Sequence, residues 1–254
     1  SFKLIFTKMK KIFNKIIGWF GYKLVEKKLI KNNRIISKGS YLNIFNILEF
    51  IFSSKNVQTV VQIGSNDGKR FDQLNLFLKK YKTRAILVEP VKEYFNKLKL
   101  NYNNHKNIIF ENIAISSDSK KIFLYTVDLN YLSKYDEHIP GVTSFNKNHL
   151  LKHGVKNQHI IKLEVDCSTI KQLLKKYHFD TLDLLFIDTE GYEGVIVNNF
   201  LNDCDLNTII IFEYIHLDDK VFENLIEQLK NKKYNFFSVE ENLVCFPKNH
   251  IILS

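Results

Sequence analysis

The chain has 254 residues, of which 45% are hydrophobic and 13% aromatic. It is therefore long enough for one large α/β domain or two small ones, with enough apolar side chains for a core, which excludes a disordered protein. Nine glycines and three prolines are too few for linkers, collagen-like repeats or low-complexity segments. Three widely spaced cysteines without a C-x-x-C pair favour a reducing compartment over a disulfide framework or a structural zinc site.

The net charge of +10 is concentrated at one end of the chain. Residues 1–34 contain ten basic residues and one acidic residue, a charge of +9, so the other 220 residues sum to about +1. Of the 37 basic residues, 34 are lysine, whereas phosphate and base recognition favours arginine. An AT-rich genome would produce the same lysine excess. The body of the chain therefore has no bulk attraction for nucleic acid.

A basic amphipathic helix is predicted within residues 1–40, the first of two predicted domains. Hydrophobic residues such as Phe13, Ile16 and Trp19 lie on one face of a helical wheel, opposite a group of lysines. These lysines are Lys8, Lys10, Lys11 and Lys15. The pattern is typical of a helix in an anionic membrane interface. Packing of the apolar face on the domain or on a second subunit is nevertheless favoured over membrane contact, nucleic acid is least favoured, and the oligomeric state is left open.

No apolar run in the sequence reaches the length of a signal-peptide core or of a membrane span. The expected location is therefore the cytoplasm, with peripheral membrane contact through residues 1–34 as the only membrane association.

Strands and helices alternate from residue 57 onward, which predicts an α/β, doubly wound, mostly parallel sheet in a second domain, residues 41–254. The predicted strands are Thr59–Ile63, Ala85–Glu89, Ile108–Ala114, Leu182–Asp188 and Thr208–Glu213. The predicted helices are Arg70–Tyr81, Lys92–Tyr102, Thr169–Tyr177, Tyr192–Phe200 and Asp218–Lys232. Two final strands, Asn235–Val239 and Leu243–Pro247, predict an antiparallel hairpin at the sheet edge.

One region departs from this alternation. Lys120–Asp128 predicts an extra strand, and Leu129–Gln158 is a polar, aromatic, histidine-containing insertion. A long insertion in an α/β domain is more often a lid or binding loop than an accident. The four histidines in or beside this insertion show no metal-ligand spacing and are interpreted as chance loop residues. They are His138, His149, His153 and His159.

A Gly-x-x-x-Gly turn, Gly64–Gly68, joins an apolar strand to the next helix. Such a turn lets the backbone approach a ligand closely. Glu89 ends the next strand 25 residues after Gly64, where its carboxylate can accept hydrogen bonds from both ribose hydroxyls. The alternative is that Gly64–Gly68 is an ordinary turn and that Glu89 has no role in ligand binding. The dinucleotide fingerprint G-x-G-x-x-G is absent, so a nucleoside without phosphates, such as S-adenosylmethionine, fits better than NAD.

Several segments occur in a characteristic order: Val60–Gly68, Leu87–Pro90 with Phe95 and Leu98, Asp183–Glu193 and Ile209–Glu213. Together they resemble the FkbM family of S-adenosylmethionine-dependent O-methyltransferases over about residues 57–247. The Asp-x-Glu-Gly-x-Glu motif that begins at Asp188 is the most specific element. Gly141–Phe145 also resembles the family's serine-containing segment.

The resemblance implies a class I methyltransferase (Rossmann-like) fold with a seven-stranded sheet whose last strand is antiparallel. It also implies transfer of a methyl group from S-adenosylmethionine, with S-adenosylhomocysteine as product, to a hydroxyl of a sugar, glycan, polyketide or other small metabolite. The candidate cofactor-binding residues are Gly64, Ser65, Asn66, Gly68, Glu89, Asn112, Ile113 and Asp188.

The chain departs from the family pattern at three places. Gln62 stands where the family usually has an acid, so one contact near the methionine end of the cofactor is missing or made by water. Lys171 replaces the usual aspartate, and Asn198 or Asn199 replaces a glycine. None of these departures removes the ribose or turn contacts.

A sugar hydroxyl must lose its proton during methyl transfer, so a base or a metal is expected near the carboxyl ends of the strands. Asp188, Glu213 and His216 are the candidate catalytic residues. Asp188 would orient the cofactor's amino group or accept the proton, whereas His216 has the better pKa for a base near neutrality.

Three further residues are assigned to the acceptor substrate: Ser144, Glu190 and Glu193. The two glutamates would alternatively stabilise the following helix through its dipole. No metal site is assigned, and Mg²⁺ held by Asp188, Glu213 and Glu190 is a less favoured option. Two rival functions remain: an RNA methyltransferase that uses the lysine-rich helix, and a cofactor-binding module without catalysis.

Overall fold

The computed structural model describes residues 42–54, 56–70, 72–118, 120–136 and 139–248. The predicted N-terminal amphipathic helix, the domain boundary near residue 40 and His138 lie outside the described residues and stay predictions. Within the described part of the chain, no helix is long and apolar enough to cross a bilayer.

The described chain alternates between strands and helices. The strands are β1 (Thr59–Ile63), β2 (Arg84–Val88), β3 (Ile108–Glu111), β4 (Ala114–Ile115), β5 (Ile122–Val127), β6 (Ile160–Val165), β7 (Cys167–Ser168), β8 (Leu184–Ile187), β9 (Ile209–Glu213), β10 (Tyr234–Val239) and β11 (Asn242–Pro247). The α-helices are α1 (Ile44–Ser54), α2 (Asn75–Tyr81), α3 (Lys92–Asn101), α4 (Lys147–Lys152), α5 (Ile170–Lys176), α6 (Glu193–Asp203) and α7 (Asp219–Asn231).

Seven strands form the central sheet in the order β10-β11-β9-β8-β1-β2-β3. All neighbours pair in parallel except β11, which is antiparallel to both β9 and β10. This arrangement confirms the doubly wound sheet, the C-terminal hairpin and the antiparallel last strand. The chain leaves β1 toward β2 on one side and returns to β8 on the other, so the carboxyl ends of β1 and β8 flank a topological switch point, where α/β folds bind ligands.

The sheet is covered on both faces, because successive strand residues point in opposite directions. Val61 and Ile86 belong to a core formed with α5, α6 and α7, whereas Val60 and Leu87 belong to a second core formed with α1, α2 and α3. All four of these side chains are fully buried. Burial on both faces explains why the strands are nearly continuous runs of β-branched and aliphatic residues.

Two predicted element boundaries differ from the structure, one at the start of a helix and one at the end of a strand. The helix predicted from Arg70 begins only at Asn75, since Asp67 Oδ1 accepts hydrogen bonds from Lys69 and Arg70 N–H and Asp72 Oδ1 accepts one from Leu74 N–H. Such local bonds compete with helix formation. The strand predicted over 108–114 is likewise split, because its last residues leave the sheet as β4 and pair with β7.

The insertion is supported by a two-stranded antiparallel sheet. Its first strand, β5, confirms the extra strand predicted over 120–128, and it pairs with β6, which the sequence analysis did not identify. The segment between them contains α4 and three short 3₁₀ helices, and it has its own apolar cluster. The buried members of this cluster are Val127, Ile139, Val142, Leu150 and Val155. The insertion is therefore a small packed lobe.

Candidate active site

A cavity of about 330 Å³ opens at the carboxyl ends of β1, β2, β8 and β9. This size lies within the range of small-molecule sites, and its position is the switch point of the sheet. Residues from the insertion, including Gly141, Thr143 and Phe145, contribute to one wall. The insertion therefore takes part in the site.

The turn after β1 brings the backbone against the end of β8. Gly64 has φ +83°, and a Cβ there would lie 2.8 Å from the carbonyl carbon of Asp188 and closer still to its oxygen. The N–H groups of Gly64 and Ser65 both donate to the carbonyl of Val88 at 3.0 Å. Gly64, Ser65 and Asn66 line the cavity, so these three predicted cofactor-binding residues surround one space.

The Glu89 carboxylate is held by two backbone donors at the cavity wall. Asn66 N–H donates to Oε2 and Val91 N–H donates to Oε1, each at 2.8 Å. Each carboxylate oxygen has two acceptor positions, so a second position on each oxygen is open to a ligand's hydroxyls. Glu89 is only 5% exposed, and this burial raises the pKa of its carboxyl to about 7.

Two other predicted cofactor-binding residues have positioning roles instead. A Cβ on Gly68 would lie 2.8 Å from Tyr102 Cε2 and closer still to Leu98 Cδ1, so this glycine permits packing against α3 and does not line the cavity. Asn112 Nδ2 donates to the carbonyls of Glu89 and Pro90, both at 2.9 Å, which fixes the strand end. The neighbouring residue Ile113 does line the cavity.

An acidic residue, Asp72, lies beside Gln62 at the cavity wall. Gln62 Nε2 donates to Asp72 Oδ1 at 3.0 Å, and Tyr102 OH donates to Asp72 Oδ2 at 3.1 Å. Burial raises the pKa of the Asp72 carboxyl above its usual range. Gln62, Asp72 and Gln73 all line the cavity. The Oε1 atoms of Gln62 and Gln73 are buried without a hydrogen-bond donor from the described residues.

Two carboxylates form the floor of the cavity at the ends of β8 and β9. Asp188 and Glu213 both line it. Asp188 is exposed to the cavity, yet protein surrounds it closely. Loss of bulk water raises the pKa of the Asp188 carboxyl, and Glu190 and Glu193 raise it further. Desolvation likewise raises the pKa of Glu213, with a second contribution from Asp188. Both groups therefore hold protons more tightly than ordinary carboxyls.

Glu193 and Ser144, both predicted to contact the acceptor, do not line the cavity. Glu193 is 0% exposed, and its carboxylate accepts hydrogen bonds from Thr189 N–H, Thr189 Oγ1 and Gly191 N–H. Burial raises its pKa. Ser144 is also buried, and its hydroxyl donates to the Glu190 carbonyl at 2.8 Å. These two side chains fix the loop after β8. Glu190 does line the cavity.

His216 belongs to a cluster that the sequence analysis missed. Its Nε2 lies 3.6 Å from Glu190 Oε2 and 3.7 Å from Glu213 Oε1, outside the set of residues that line the cavity. His149 Nε2 lies 2.9 Å from Glu190 Oε2, and His153 completes the group. The structure thus brings His149 and His153, which were interpreted from the sequence as chance loop residues, together with Glu190 and His216. The spacing of four residues between His149 and His153, which aligns side chains on one helical face, was the available signal.

Acidic residues also converge around Asp188, but in a different combination from the predicted magnesium triad. Oxygen atoms of Asp188, Glu193 and Glu213 lie within 4.8 Å of one another. The Glu193 oxygens already accept hydrogen bonds from the loop backbone, and Glu190 faces the histidines. The set predicted for Mg²⁺ is thus divided between two groups.

The profile of the FkbM methyltransferase domain matches residues 62–236 of this chain. Curated protein sequences give no match. Among solved structures, methyltransferase FkbM from Methylobacillus flagellatus KT has 10% identity and a TM-score of 0.45, covering 75% of this chain and 44% of that chain. The chain therefore spans less than half the length of that protein.

Two other solved structures have similar scores. The ribosomal protein L11 methylase from Lactobacillus delbrueckii subsp. bulgaricus has 12% identity and a TM-score of 0.41, covering 80% of this chain and 77% of that chain. The METTL16 MTase domain has 12% identity and a TM-score of 0.45, covering 86% of this chain and 76% of that chain. At such identities the similarity concerns the fold alone.

Proposed function

Because the chain belongs to the FkbM methyltransferase family, we propose that it transfers a methyl group from S-adenosylmethionine to a hydroxyl of a saccharide or similar small acceptor. The observation that carries this proposal is the Glu89 carboxylate, fixed by two backbone N–H groups at 2.8 Å beside the Gly64 turn. It offers paired acceptors at the end of the strand that follows the glycine turn, where an acidic residue binds the ribose in such folds.

The cavity offers polar side chains for two parts of the proposed cofactor, its ribose and its methionine end. Glu89 would accept hydrogen bonds from the two ribose hydroxyls, and Gln62 and Gln73, which line the cavity, would contact the amino group. Arg70 also lines the cavity, and its guanidinium would bind the carboxylate of the cofactor's methionine part. When bound, S-adenosylmethionine supplies the methyl group that the acceptor oxygen takes up by in-line displacement, a reaction governed largely by positioning.

The acceptor hydroxyl must give up its proton as its oxygen attacks. Asp188 and Glu213 are the groups that line the cavity, and their raised pKa values make each carboxylate, once ionised, a stronger base than an ordinary one. The proton would pass to one of these two carboxylates. The Nε2 atom of His216 lies 3.7 Å from Glu213 Oε1. His216 would therefore position the Glu213 carboxylate and would not itself take the proton.

The wall formed by the insertion fits a hydroxylated acceptor. The Phe145 ring lines the cavity and stacks on Tyr192 with a centroid distance of 3.8 Å and an interplanar angle of 16°. Thr143 adds a hydroxyl to the same wall. An aromatic face beside polar groups and carboxylates is suited to a sugar ring, which has both C–H faces and hydroxyl edges.

The test is incubation with isotopically labelled S-adenosylmethionine and a panel of saccharides, lipid-linked saccharides and RNA, followed by mass spectrometry. We expect label on a saccharide hydroxyl. Asp188→Asn and Glu213→Gln should lower the transfer rate by about 10²- to 10⁴-fold, the usual contribution of a general base. Glu227→Gln, at an exposed glutamate of α7, is the matched control and should leave the rate unchanged. Label only on RNA, or cofactor binding with no transfer to any acceptor, would contradict the proposal.

A further inference from the structure

We propose that His149, His153, Glu190 and His216 form a binding site for a divalent transition-metal ion at the rim of the cavity. Their ligand atoms all lie within 4.8 Å of one another. The proposal concerns a site separate from the cofactor contacts, and it does not depend on the identity of the acceptor.

Two of the distances between ligand atoms are close to those of a tetrahedral site. With ligand bonds of about 2.0–2.1 Å, the ligand atoms of a tetrahedral zinc site are about 3.3 Å apart. Glu190 Oε2 is 2.9 Å from His149 Nε2 and 3.6 Å from His216 Nε2. These two distances lie on either side of the tetrahedral value. The carboxylate oxygen is therefore already placed as a common neighbour of two imidazoles.

The three imidazole rings converge without stacking in parallel. The ring centroids of His149 and His153 are 4.6 Å apart with an interplanar angle of 52°, and those of His149 and His216 are 4.6 Å apart at 84°. His153 and His216 are 5.7 Å apart at 68°. Rings inclined to one another can direct one nitrogen each toward a common point, whereas a parallel stack cannot.

Each residue is held by its local structure. His149 lies in α4, and His153 follows as its C-cap residue, one helical turn later. Glu190 has φ +55° and precedes Gly191 at φ +107°, and its carbonyl accepts the hydrogen bond from Ser144 Oγ. The side chains of His149, Glu190 and His216 are only 12%, 22% and 21% exposed. The site is thus partly enclosed and built on three segments.

The donor set selects the class of ion. Imidazole nitrogens with one carboxylate oxygen suit Zn²⁺, Co²⁺, Ni²⁺ or Cu²⁺, whereas Mg²⁺ and Ca²⁺ prefer oxygen ligands. Four protein ligands make a closed site of the structural kind. An ion there would join the insertion, through α4, to the loops after β8 and β9. Because Glu190 also lines the cavity, metal binding would fix the wall next to the acceptor.

The experiment measures metal binding by the intact chain. The protein is treated with a chelator, dialysed, and titrated with Zn²⁺ by calorimetry and with Co²⁺ by visible absorption. We expect one ion per chain, the intense visible bands of tetrahedral Co²⁺, and a rise in the melting temperature with Zn²⁺. His149→Asn and His216→Asn should each weaken Zn²⁺ binding at least about 100-fold, since loss of an outer hydrogen-bond partner alone costs 10- to 100-fold.

The matched control is His178→Asn, at an exposed histidine outside the cluster whose φ of +53° asparagine tolerates. It should bind Zn²⁺ as the parent does. Circular dichroism and melting in chelator show whether each variant is folded, and the double variant His149→Asn/His153→Asn provides a second measurement if one single variant unfolds. Zn²⁺ affinity that is the same in the parent and in folded cluster variants, or absent from the parent, would overturn the proposal.

Discussion

The close contact of Gly64 with the end of β8 predicts a specific cost for adding a single methyl group. Gly64 has φ +83°, and its Cβ would overlap the Asp188 carbonyl; Gly154 has φ +80°, and a Cβ there would have nothing within 4 Å. Alanine at either position lowers the free energy of unfolding by about 1–2 kcal/mol, because the backbone is left-handed there. Only Gly64→Ala adds an overlap, worth about 1–3 kcal/mol in a packed interior.

Urea unfolding followed by circular dichroism measures this difference. We expect Gly64→Ala to lose about 1–3 kcal/mol more free energy of unfolding than Gly154→Ala. The overlap involves backbone, so β1 and β8 must separate at the cavity. Since a misplacement of about 1 Å can cost 10²-fold, calorimetry should show S-adenosylhomocysteine binding much weakened in Gly64→Ala and unchanged in Gly154→Ala. Equal destabilisation by the two substitutions, or parental affinity in Gly64→Ala, would refute the reasoning.

Three further predictions concern separate parts of the molecule. The Glu89 pKa is raised to about 7 and ribose hydroxyls favour the ionised carboxylate. S-adenosylhomocysteine should therefore bind more tightly as pH rises from 6 to 8, and its binding should release protons below pH 7. Calorimetry in buffers of different ionisation enthalpy measures this proton release, and Glu89→Gln should reduce it. Glu193→Ala leaves the N–H groups of Thr189 and Gly191 without their acceptor and should cost about 1–3 kcal/mol of unfolding free energy, whereas an unchanged urea midpoint would contradict its buried role. Replacing Lys8, Lys10, Lys11 and Lys15 by glutamate should reduce co-sedimentation with anionic vesicles, and equal pelleting would exclude the predicted membrane contact.

The regular part of the fold was predictable because burial on both faces leaves a clear pattern. β1 begins and ends where the apolar, β-branched run of the sequence predicts. β6 was missed because its partner, β5, lies more than thirty residues earlier in the chain and several of its residues are only partly buried. A half-exposed strand defined by a distant partner has a weak local pattern.

The cofactor wall was predictable from residue types and spacing, whereas the direction of individual carboxylates was not. Glu190 and Glu193 occur in one short acidic motif, yet Glu190 faces the histidines and Glu193 turns back into its own loop. Positive φ angles at Glu190 and Gly191 produce this reversal, and sequence spacing does not reveal backbone angles of this kind. His149 and His216 meet across 67 positions of sequence, so only the tertiary fold shows their cluster.

The central claim, that Glu89 binds the ribose of S-adenosylmethionine, is tested most directly by titrating the parent, Glu89→Gln and Glu93→Gln with S-adenosylhomocysteine in a calorimeter. Glu93 is an exposed glutamate of α3 and provides the matched control. Loss of one hydrogen bond to a charged acceptor is worth about 1.5–3 kcal/mol, so Glu89→Gln should bind roughly 10- to 100-fold more weakly, while Glu93→Gln binds as the parent does. Equal affinity in all three proteins, or no binding heat in the parent, would contradict the account.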